Sequence, residues 1–196
     1  ADTGLYILNL ENGLSGRVIP IPTLTQRGFL SEPAWSPDGE FLAIALATGY
    51  DMDIFTYDRG GSGRENLTNA GSYDFWPAYS PDGTRLAFVS DRLTCPSWIP
   101  GDDGACVAGI DASPAGGQLF VLELATGEVS LISEEFVSEP PRWINDRLIA
   151  FASGDQMDLL NPQRALWLAN TTTGAVEQVV LPEDAAGAAN YLSDVW

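Results

Sequence analysis

The stretch "PAWSPDGEFLAIAL", which begins at Pro33, is almost repeated 44 residues later by "PAYSPDGTRLAFVS", which begins at Pro77. Each copy reads proline, alanine, an aromatic residue, Ser-Pro-Asp-Gly and then an apolar run. Ser-Pro-Asp-Gly is typical of a tight turn, because Pro presets φ, Asp accepts nearby backbone N–H groups and Gly adopts a positive φ at low cost. Asp38 and Asp82 are therefore interpreted as shaping turns, not as doing chemistry. The residues expected in the two turns are Ser36, Pro37, Asp38, Gly39, Ser80, Pro81, Asp82 and Gly83.

A second recurring pattern is an apolar strand followed by a turn. It reads "LYILNLENG" from Leu5, "IFTYDRGG" from Ile54, "LFVLELATG" from Leu119 and "LWLANTTTG" from Leu166. The spacing of both patterns lengthens at the same place, which indicates one insertion around residues 91–117. Units of four short strands that recur every ~40–50 residues are the signature of a β-propeller, in which each unit is one blade.

The unit over residues 33–69 shows the expected strand order. Strand A holds Ala34-Trp35, strand B runs from Phe41 to Ala47, strand C from Ile54 to Tyr57, and strand D lies near Glu65 to Thr68. These runs are short, rich in aromatic and β-branched residues, and bounded by Gly, Pro, Asp and Asn. Strand B is apolar on both faces, which favours a strand that is packed between neighbouring sheets.

We therefore predict an all-β fold, a β-propeller of four-stranded antiparallel blades, with about three and a half blades in this single-domain chain. Because a propeller closes only when its edges are paired, the chain is interpreted as a segment of a larger ring; a half-ring that pairs with another chain is the alternative. The expected division is strands C and D of a first blade in 1–26, blades at 33–69, 77–133 (with the insertion 91–117) and 141–181, and the start of another blade at 190–196.

The repeated motif resembles the WD40-like repeats of the TolB family, in which Pro-Ala-aromatic-Ser-Pro-Asp-Gly precedes an apolar strand that often ends in Ser-Asp-Arg. Ser90-Asp91-Arg92 stands at that place here, and "DIFTYD" from Asp53 and "ENLT" from Glu65 match the later strands. The third repeat, "PRWIND" from Pro141, departs by losing Ser-Pro and Gly. The resemblance covers nearly the whole chain. It implies a propeller with protein contacts at the bacterial envelope or cell surface, without implying the same partner.

Composition excludes several classes of function. The 196 residues carry 27 acids and 9 bases, all of them Arg, for a net charge of −18. A field of that sign repels phosphate backbones and anionic lipid, so nucleic-acid binding is not expected. No apolar run approaches the ~20 residues of a membrane helix, so direct membrane insertion is not expected. The chain contains no His, which excludes a Ser-His-Asp triad and a His-ligated metal within it.

The two cysteines, Cys95 and Cys106, bracket the Gly- and Pro-rich stretch "CPSWIPGDDGAC". We expect them to form a local disulfide, which favours an extracytoplasmic compartment; two free thiols in a cytosolic loop are the alternative. With the family resemblance, the expected location is the periplasm or the cell surface of a bacterium. The first residues have no basic start and no apolar core, so no signal peptide is expected within this chain.

Loop lengths indicate which face of the propeller binds a partner. The connections from strand B to C and from D to A are longer than the others, and insertions on rigid scaffolds commonly carry function. Aromatic residues beside acids suit a protein or peptide partner. The alternative is that Trp76 and Trp98 are merely covered by their own loops. The candidates for partner binding are Tyr50, Asp51, Tyr73, Asp74, Phe75, Trp76, Trp98, Asp102 and Asp103.

Two acidic pairs are candidates for a metal or catalytic site. Asp51-x-Asp53 and Asp102-Asp103 supply oxygen ligands, but neither has the spacing of an EF-hand loop. No pair of carboxylates stands out as the pair that glycoside hydrolysis needs. We therefore expect no metal, no cofactor and no catalytic residue.

The predicted function is that of a non-catalytic protein- or peptide-binding or scaffolding module. Its partner is expected to be a protein or peptide, with another copy of the chain or the rest of the propeller also considered. One alternative is the gating propeller of a prolyl-oligopeptidase-type hydrolase; without a His or a Gly-x-Ser-x-Gly elbow, this chain would be only the gating part. The other alternative is a structural half-propeller that assembles with itself.

Overall fold

The computed structural model describes residues 4–20, 32–47, 49–107, 116–154 and 165–179. Over these ranges the chain folds into β-strands whose sheet pairings are all antiparallel, so the predicted all-β fold is confirmed. The expected start of another blade at 190–196 lies outside the described residues. In the same ranges, no helix has the length and apolarity needed to cross a membrane.

The strands of the described ranges follow the chain in simple order. They are β1 (Gly4–Leu8), β2 (Ser15–Pro20), β3 (Ala34–Trp35), β4 (Phe41–Ala47), β5 (Met52–Asp58), β6 (Glu65–Asn66), β7 (Asp74–Tyr79), β8 (Arg85–Ser90), β9 (Gly117–Glu123), β10 (Val129–Val137), β11 (Arg142–Asn145), β12 (Leu148–Ser153), β13 (Ala165–Asn170) and β14 (Val176–Gln178).

The strands group into units in which each strand pairs with the next one along the chain. Blade 1 is the pair β1–β2, and blade 2 is the four-stranded sheet β3–β6. Blade 3 (β7–β10) and blade 4 (β11–β14) form one eight-stranded sheet, because β10 and β12 are bridged by the pair Val137–Ser153. Strand B of blade 2 has the predicted bounds. Strand A of blade 3 begins at Asp74, three residues before the Pro77 at which the sequence placed it.

The core lies between the blades. Strand B of each full blade is apolar on both faces and is buried on both: Ile44, Phe88 and Phe151 are each 0% exposed. One buried cluster spans blades 2, 3 and 4, and a smaller one joins blade 2 to Ile19 of blade 1. Burying a side chain of this size stabilises the fold by about 1.5–3 kcal/mol, so the stacking of one blade on the next supplies much of the stability.

Candidate functional site

The insertion in blade 3 forms a disulfide-bonded loop. β8 ends at Ser90 and β9 begins at Gly117. In the described part of the connection, residues 91–107, Cys95 and Cys106 are joined by a disulfide, as predicted, with their Cα atoms 5.9 Å apart. We call residues 91–107 the cross-linked loop. A loop of this length gains about 2–3 kcal/mol from such a bond on chain-entropy grounds.

Trp98 holds the cross-linked loop against the connection between blades 2 and 3. Its ring stacks on Tyr73, with centroids 5.0 Å apart and planes at 14°. Its backbone N–H donates to the carbonyl of Gly71 at 2.7 Å, and its Nε1–H donates to Oδ2 of Asp91 at 2.8 Å. The loop is therefore fixed by side-chain and backbone contacts as well as by the disulfide.

Asp91 joins the two connections through one carboxylate. While Oδ2 accepts from Trp98, Oδ1 accepts the backbone N–H of Tyr73 at 2.8 Å. Burial raises the pKa of Asp91, and these hydrogen bonds oppose the rise because they stabilise the charged form. The role of this carboxylate is to satisfy buried donors of both loops.

Asp74 and Arg92 form an internal ion pair beside that junction. The Asp74 side chain is 0% exposed, and its Oδ2 accepts from Nη2 of Arg92 at 2.8 Å. The guanidinium also lies over the rings of Phe88 and Phe120, at 5.3 and 5.0 Å from their centroids. Removing Arg92 would leave the buried carboxylate of Asp74 without its cation, so this pair contributes to the stability of the fold.

The residues predicted to bind a partner divide into buried and exposed sets. Tyr73, Asp74 and Phe75 are 4%, 0% and 2% exposed, which leaves almost no surface for a partner to contact. The sequence placed them in an open loop, whereas β7 already begins at Asp74 and the cross-linked loop covers Tyr73. The exposed or half-buried members of the prediction are Tyr50, Asp51, Trp76, Trp98, Asp102 and Asp103.

Trp76 lies at an irregular point of β7. Its φ is +53°, within the stretch where the β7–β8 register shifts between Phe75 and Ala78. Its ring packs edge-on against Phe75 at 4.8 Å. The half-buried Trp76 lines a cavity of about 280 Å³ together with Tyr79 of β7 and Trp143 of β11. Trp76 therefore combines an irregular backbone with a place in the lining of a cavity between blades.

The cross-linked loop exposes apolar side chains that the sequence analysis did not single out. Val107 is 94% exposed, Leu93 52% and Ile99 36%. The acids Asp102 and Asp103 lie between them and are exposed as well, and Asp102 accepts a hydrogen bond from Oγ of Ser97 at 2.8 Å. A fixed loop with exposed apolar and acidic side chains is suited to contacting another protein.

The two acids of Asp51-x-Asp53 differ in exposure, since Asp51 is half-buried and Asp53 is buried. Asp53 is 3% exposed and accepts from Nδ2 of Asn66 at 2.8 Å and from the backbone N–H of Ala70 at 2.9 Å. Burial raises the pKa of Asp53, and those hydrogen bonds counteract the rise. Asp53 therefore closes the turn after β6. Among the described residues, no group of three or more His, Cys, Asp or Glu is arranged to hold a metal ion.

Both Ser-Pro-Asp-Gly segments close tight turns on the other face of the blades. In blade 3, Oγ of Ser80 donates to Asp82 at 2.6 Å and accepts the N–H of Arg85 at 3.0 Å. The N–H of Thr84 also donates to Asp82 at 3.0 Å. In blade 2, Ser36 and Asp38 make the same contacts. Gly39 and Gly83 have φ of 73° and 71°, which favours glycine.

The turn aspartates are held in their charged form. Hydrogen bonds from the serine hydroxyl and from a backbone N–H lower the pKa of Asp38 and of Asp82. For a lowered pKa, the contribution to stability is complete above the ordinary value of 3.8 and is lost as the pH falls through the folded value. At neutral pH both turns therefore carry a negative charge.

A larger cavity lies between blades 2 and 3, on the face that carries these turns. Its volume is about 390 Å³, and three carboxylates border it: Asp38, Glu65 and Asp82. The binding surface predicted from the loop lengths lies on the opposite face, and that prediction does not include this cavity. The available signal was a mismatch between the repeats, since Phe41 stands where the next copy has Arg85.

Comparison with known proteins identifies a propeller family whose model matches this chain. Residues 2–99 match the TolB beta propeller domain, which is half of the 196 residues. The chain belongs to the TolB beta propeller domain family. The resemblance inferred from the repeated Ser-Pro-Asp-Gly motif is thereby confirmed.

Sequence relatives of this TolB-family chain include a TolB homolog of Chlorobium luteolum, which is 30% identical over 125 residues, or 64% of this chain and 22% of that protein. The Tol-Pal system protein TolB of Anaeromyxobacter dehalogenans is 39% identical over 96 residues, or 47% of this chain and 21% of that protein. The chain spans about a fifth of the length of the curated relatives it matches.

Solved structures share the fold of this TolB-family chain at low identity. TolB from Acinetobacter baumannii superimposes with a TM-score of 0.59 at 16% identity, over 90% of this chain and 37% of that one. A puromycin-hydrolyzing peptidase of Mycobacterium tuberculosis also matches, with a TM-score of 0.57 at 16% identity, over 89% of this chain and 24% of that one. At such identities the likeness shows the fold alone.

Proposed function

We propose that this chain is a non-catalytic module of a TolB-like propeller, and that it binds a protein or peptide partner through the cross-linked loop. The observation that carries the proposal is the exposure of Leu93, Ile99 and Val107 on a loop that a disulfide and Trp98 hold in place. A loop that is already ordered loses little conformational entropy on binding, which favours affinity.

The proposed location is the bacterial periplasm or cell surface. Two observations support it: membership of the TolB beta propeller family and the Cys95–Cys106 disulfide, a bond that persists in oxidising compartments. One relative is called a Tol-Pal system protein, so a protein of that system from the same organism is the first partner to test.

The gating propeller of a serine hydrolase is the second candidate function. The match shows that part of one puromycin-hydrolyzing peptidase has this fold, but a shared fold does not favour either role. The intact protein decides between them. Hydrolysis of a chromogenic peptide ester that is lost after treatment with a serine-directed fluorophosphonate would support the gating role, whereas unaffected partner binding with no hydrolysis supports the non-catalytic one.

Site-specific photo-crosslinking of the intact protein in cells of its source organism tests the proposed binding loop. A photoreactive amino acid at Val107, 94% exposed, is compared with one at Leu10, 88% exposed in the turn between β1 and β2. We expect a discrete protein adduct at Val107 that is absent at Leu10, because the two positions match in exposure and only Val107 lies in the cross-linked loop. Equal labelling at both positions, or adducts at Leu10 alone, would contradict the proposal.

A further inference from the structure

The cavity between blades 2 and 3 has an acidic and aromatic lining. Asp38, Glu65 and Asp82 supply carboxylates, Phe41 and Tyr79 supply rings, and none of the described lining residues is basic. Glu65 is exposed, and Phe41 is 47% exposed although it stands at the start of a buried strand. The chain therefore leaves an aromatic ring partly uncovered in a negatively charged recess.

The next junction along the chain, between blades 3 and 4, is filled by an arginine of the chain itself. Nη1 of Arg85 donates to Oγ1 of Thr171 at 3.1 Å, and Nη2 donates to the carbonyl of Asp146. The guanidinium carbon lies 5.0 Å from the ring centroid of Trp143, and Nη2 lies 3.8 Å from the carboxylate of Asp82. The Arg85 side chain is only 16% exposed.

Phe41 and Arg85 occupy the same place in their repeats. Each begins strand B, and each donates its N–H to Oγ of the turn serine, Ser36 at 2.9 Å and Ser80 at 3.0 Å. Each also accepts the N–H of that serine at 2.9 Å. The two junctions thus differ in the side chain placed there, a ring in the first and a guanidinium in the second.

The walls of the two junctions are equivalent as well. Tyr79 stands in strand A of the following blade, as Trp143 does. Leu124 and Thr171 each come directly after strand C and donate their N–H to the residue before strand B of their blade, at 3.0 and 2.9 Å. The first cavity is therefore the counterpart of a space that holds a guanidinium in the second junction.

The charges of the first cavity fit the same occupant. Asp38 and Asp82 are charged at neutral pH, since hydrogen bonds lower the pKa of each. Burial raises the pKa of the Tyr79 phenol, and the charge of Asp38 adds to that rise, so the carboxylate acts on the ring that lines the cavity. Carboxylates beside an aromatic face attract a planar cation.

We propose that the cavity between blades 2 and 3 binds a guanidinium group, presented as the arginine side chain of a peptide or protein partner. The rings of Phe41 and Tyr79 stack on the guanidinium plane, and the carboxylates of Asp38, Asp82 and Glu65 accept its N–H groups. Arginine is favoured over lysine because its planar fork can stack and donate in parallel. This is a second binding site, on the face opposite the cross-linked loop.

Calorimetric titration of the intact protein with short peptides tests the proposal. The probes are Gly-Arg-Gly amide and Gly-citrulline-Gly amide, which differ in charge and hardly in shape. We expect the arginine peptide to bind about tenfold more tightly than the citrulline peptide, and its affinity to fall as salt is added, because the interaction is between opposite charges. Equal affinity for the two peptides, or no heat with either at millimolar concentration, would overturn it.

Variants at Phe41 and Glu65 locate the site. Phe41→Arg supplies the guanidinium from within the chain, as Arg85 does in the junction between blades 3 and 4. It is therefore expected to abolish binding of the arginine peptide. Phe136→Arg, at a phenylalanine of β10 that is 39% exposed and does not line the cavity, is the matched control and should retain binding within about threefold. Glu65→Gln is expected to weaken binding about threefold, in the range of an exposed charge pair. Unchanged binding by Phe41→Arg, with a melting temperature at or above that of the wild type, would place the site elsewhere.

Discussion

At the scale of single residues, the serine of each repeated turn does more than the sequence indicates. Ser80 is 0% exposed, and its hydroxyl both donates to Asp82 and accepts from Arg85. Its N–H and carbonyl are also paired, with Arg85 and Gly83. The buried side chain of Ser80 thus closes the turn. A solvent-exposed serine would make such hydrogen bonds to water instead.

Replacing Ser80 by alanine is expected to lower the free energy of unfolding by about 1–3 kcal/mol, because the N–H of Arg85 loses its acceptor. Chemical denaturation of the wild type and of Ser80→Ala measures the change. Ser130→Ala, on the exposed face of β10, is the matched control and should change stability by less than about 0.5 kcal/mol. Equal effects of the two substitutions would show that the turn does not depend on this hydroxyl.

At the scale of the blades, the junctions between neighbouring blades differ in their polar contacts. Trp143 donates its Nε1–H to the carbonyl of Ala78 at 2.9 Å, and Arg85 crosses in the other direction to Asp146 and Thr171. Between blades 2 and 3, the corresponding polar contact is the hydroxyl pair Thr56 and Tyr79 at 3.4 Å. Arg85 therefore supplies much of the polar contact between blades 3 and 4.

Arg85→Met is expected to destabilise the protein by about 1–3 kcal/mol, since methionine keeps most of the apolar length but leaves the carbonyl of Asp146 and the hydroxyl of Thr171 without this donor. Thermal and urea unfolding measure it. Arg142→Met, at an exposed arginine of β11, controls for the loss of a positive charge and is expected to fall within about 0.5 kcal/mol. A loss as large for Arg142→Met would point to net charge as the cause.

At the scale of the whole molecule, charge is the dominant property. A net charge of −18 spread over 196 residues makes the folded state repel itself, because folding brings the acids closer together. Salt screens that repulsion: the Debye length falls from about 30 Å at 0.01 M to about 10 Å at 0.1 M.

Raising the NaCl concentration over that range is therefore expected to raise the melting temperature, by about 2–4 °C for each kcal/mol of repulsion removed. Differential scanning calorimetry measures it. The double variant Asp102→Asn/Asp103→Asn, which removes two exposed charges, should show a smaller rise. A melting temperature that falls with salt would mean that the few ion pairs of the arginines outweigh the repulsion.

The sequence predicted the fold from the turn motif and from strand B, whose apolar run Phe41–Ala47 is β4. Local chemistry decides such features, because turn residues and double-sided apolar runs act through near neighbours. The candidate site was harder to predict. Tyr73, Asp74 and Phe75 resemble exposed loop residues until the cross-linked loop covers them. That contact depends on the path of a long connection, which the sequence pattern does not encode locally.

The turn of blade 2 and the turn of blade 3 have the same hydrogen bonds, although one ends in Phe41 and the other in Arg85. The frame is closed by the serine, the aspartate and the glycine, so the side chain that follows is free to vary. A change at this one position can therefore alter what the space between two blades accepts, while the turn and the neighbouring junction stay as they are. Substitution at the first residue of strand B would thus be one way for the blades of a propeller to differ in what they recognise.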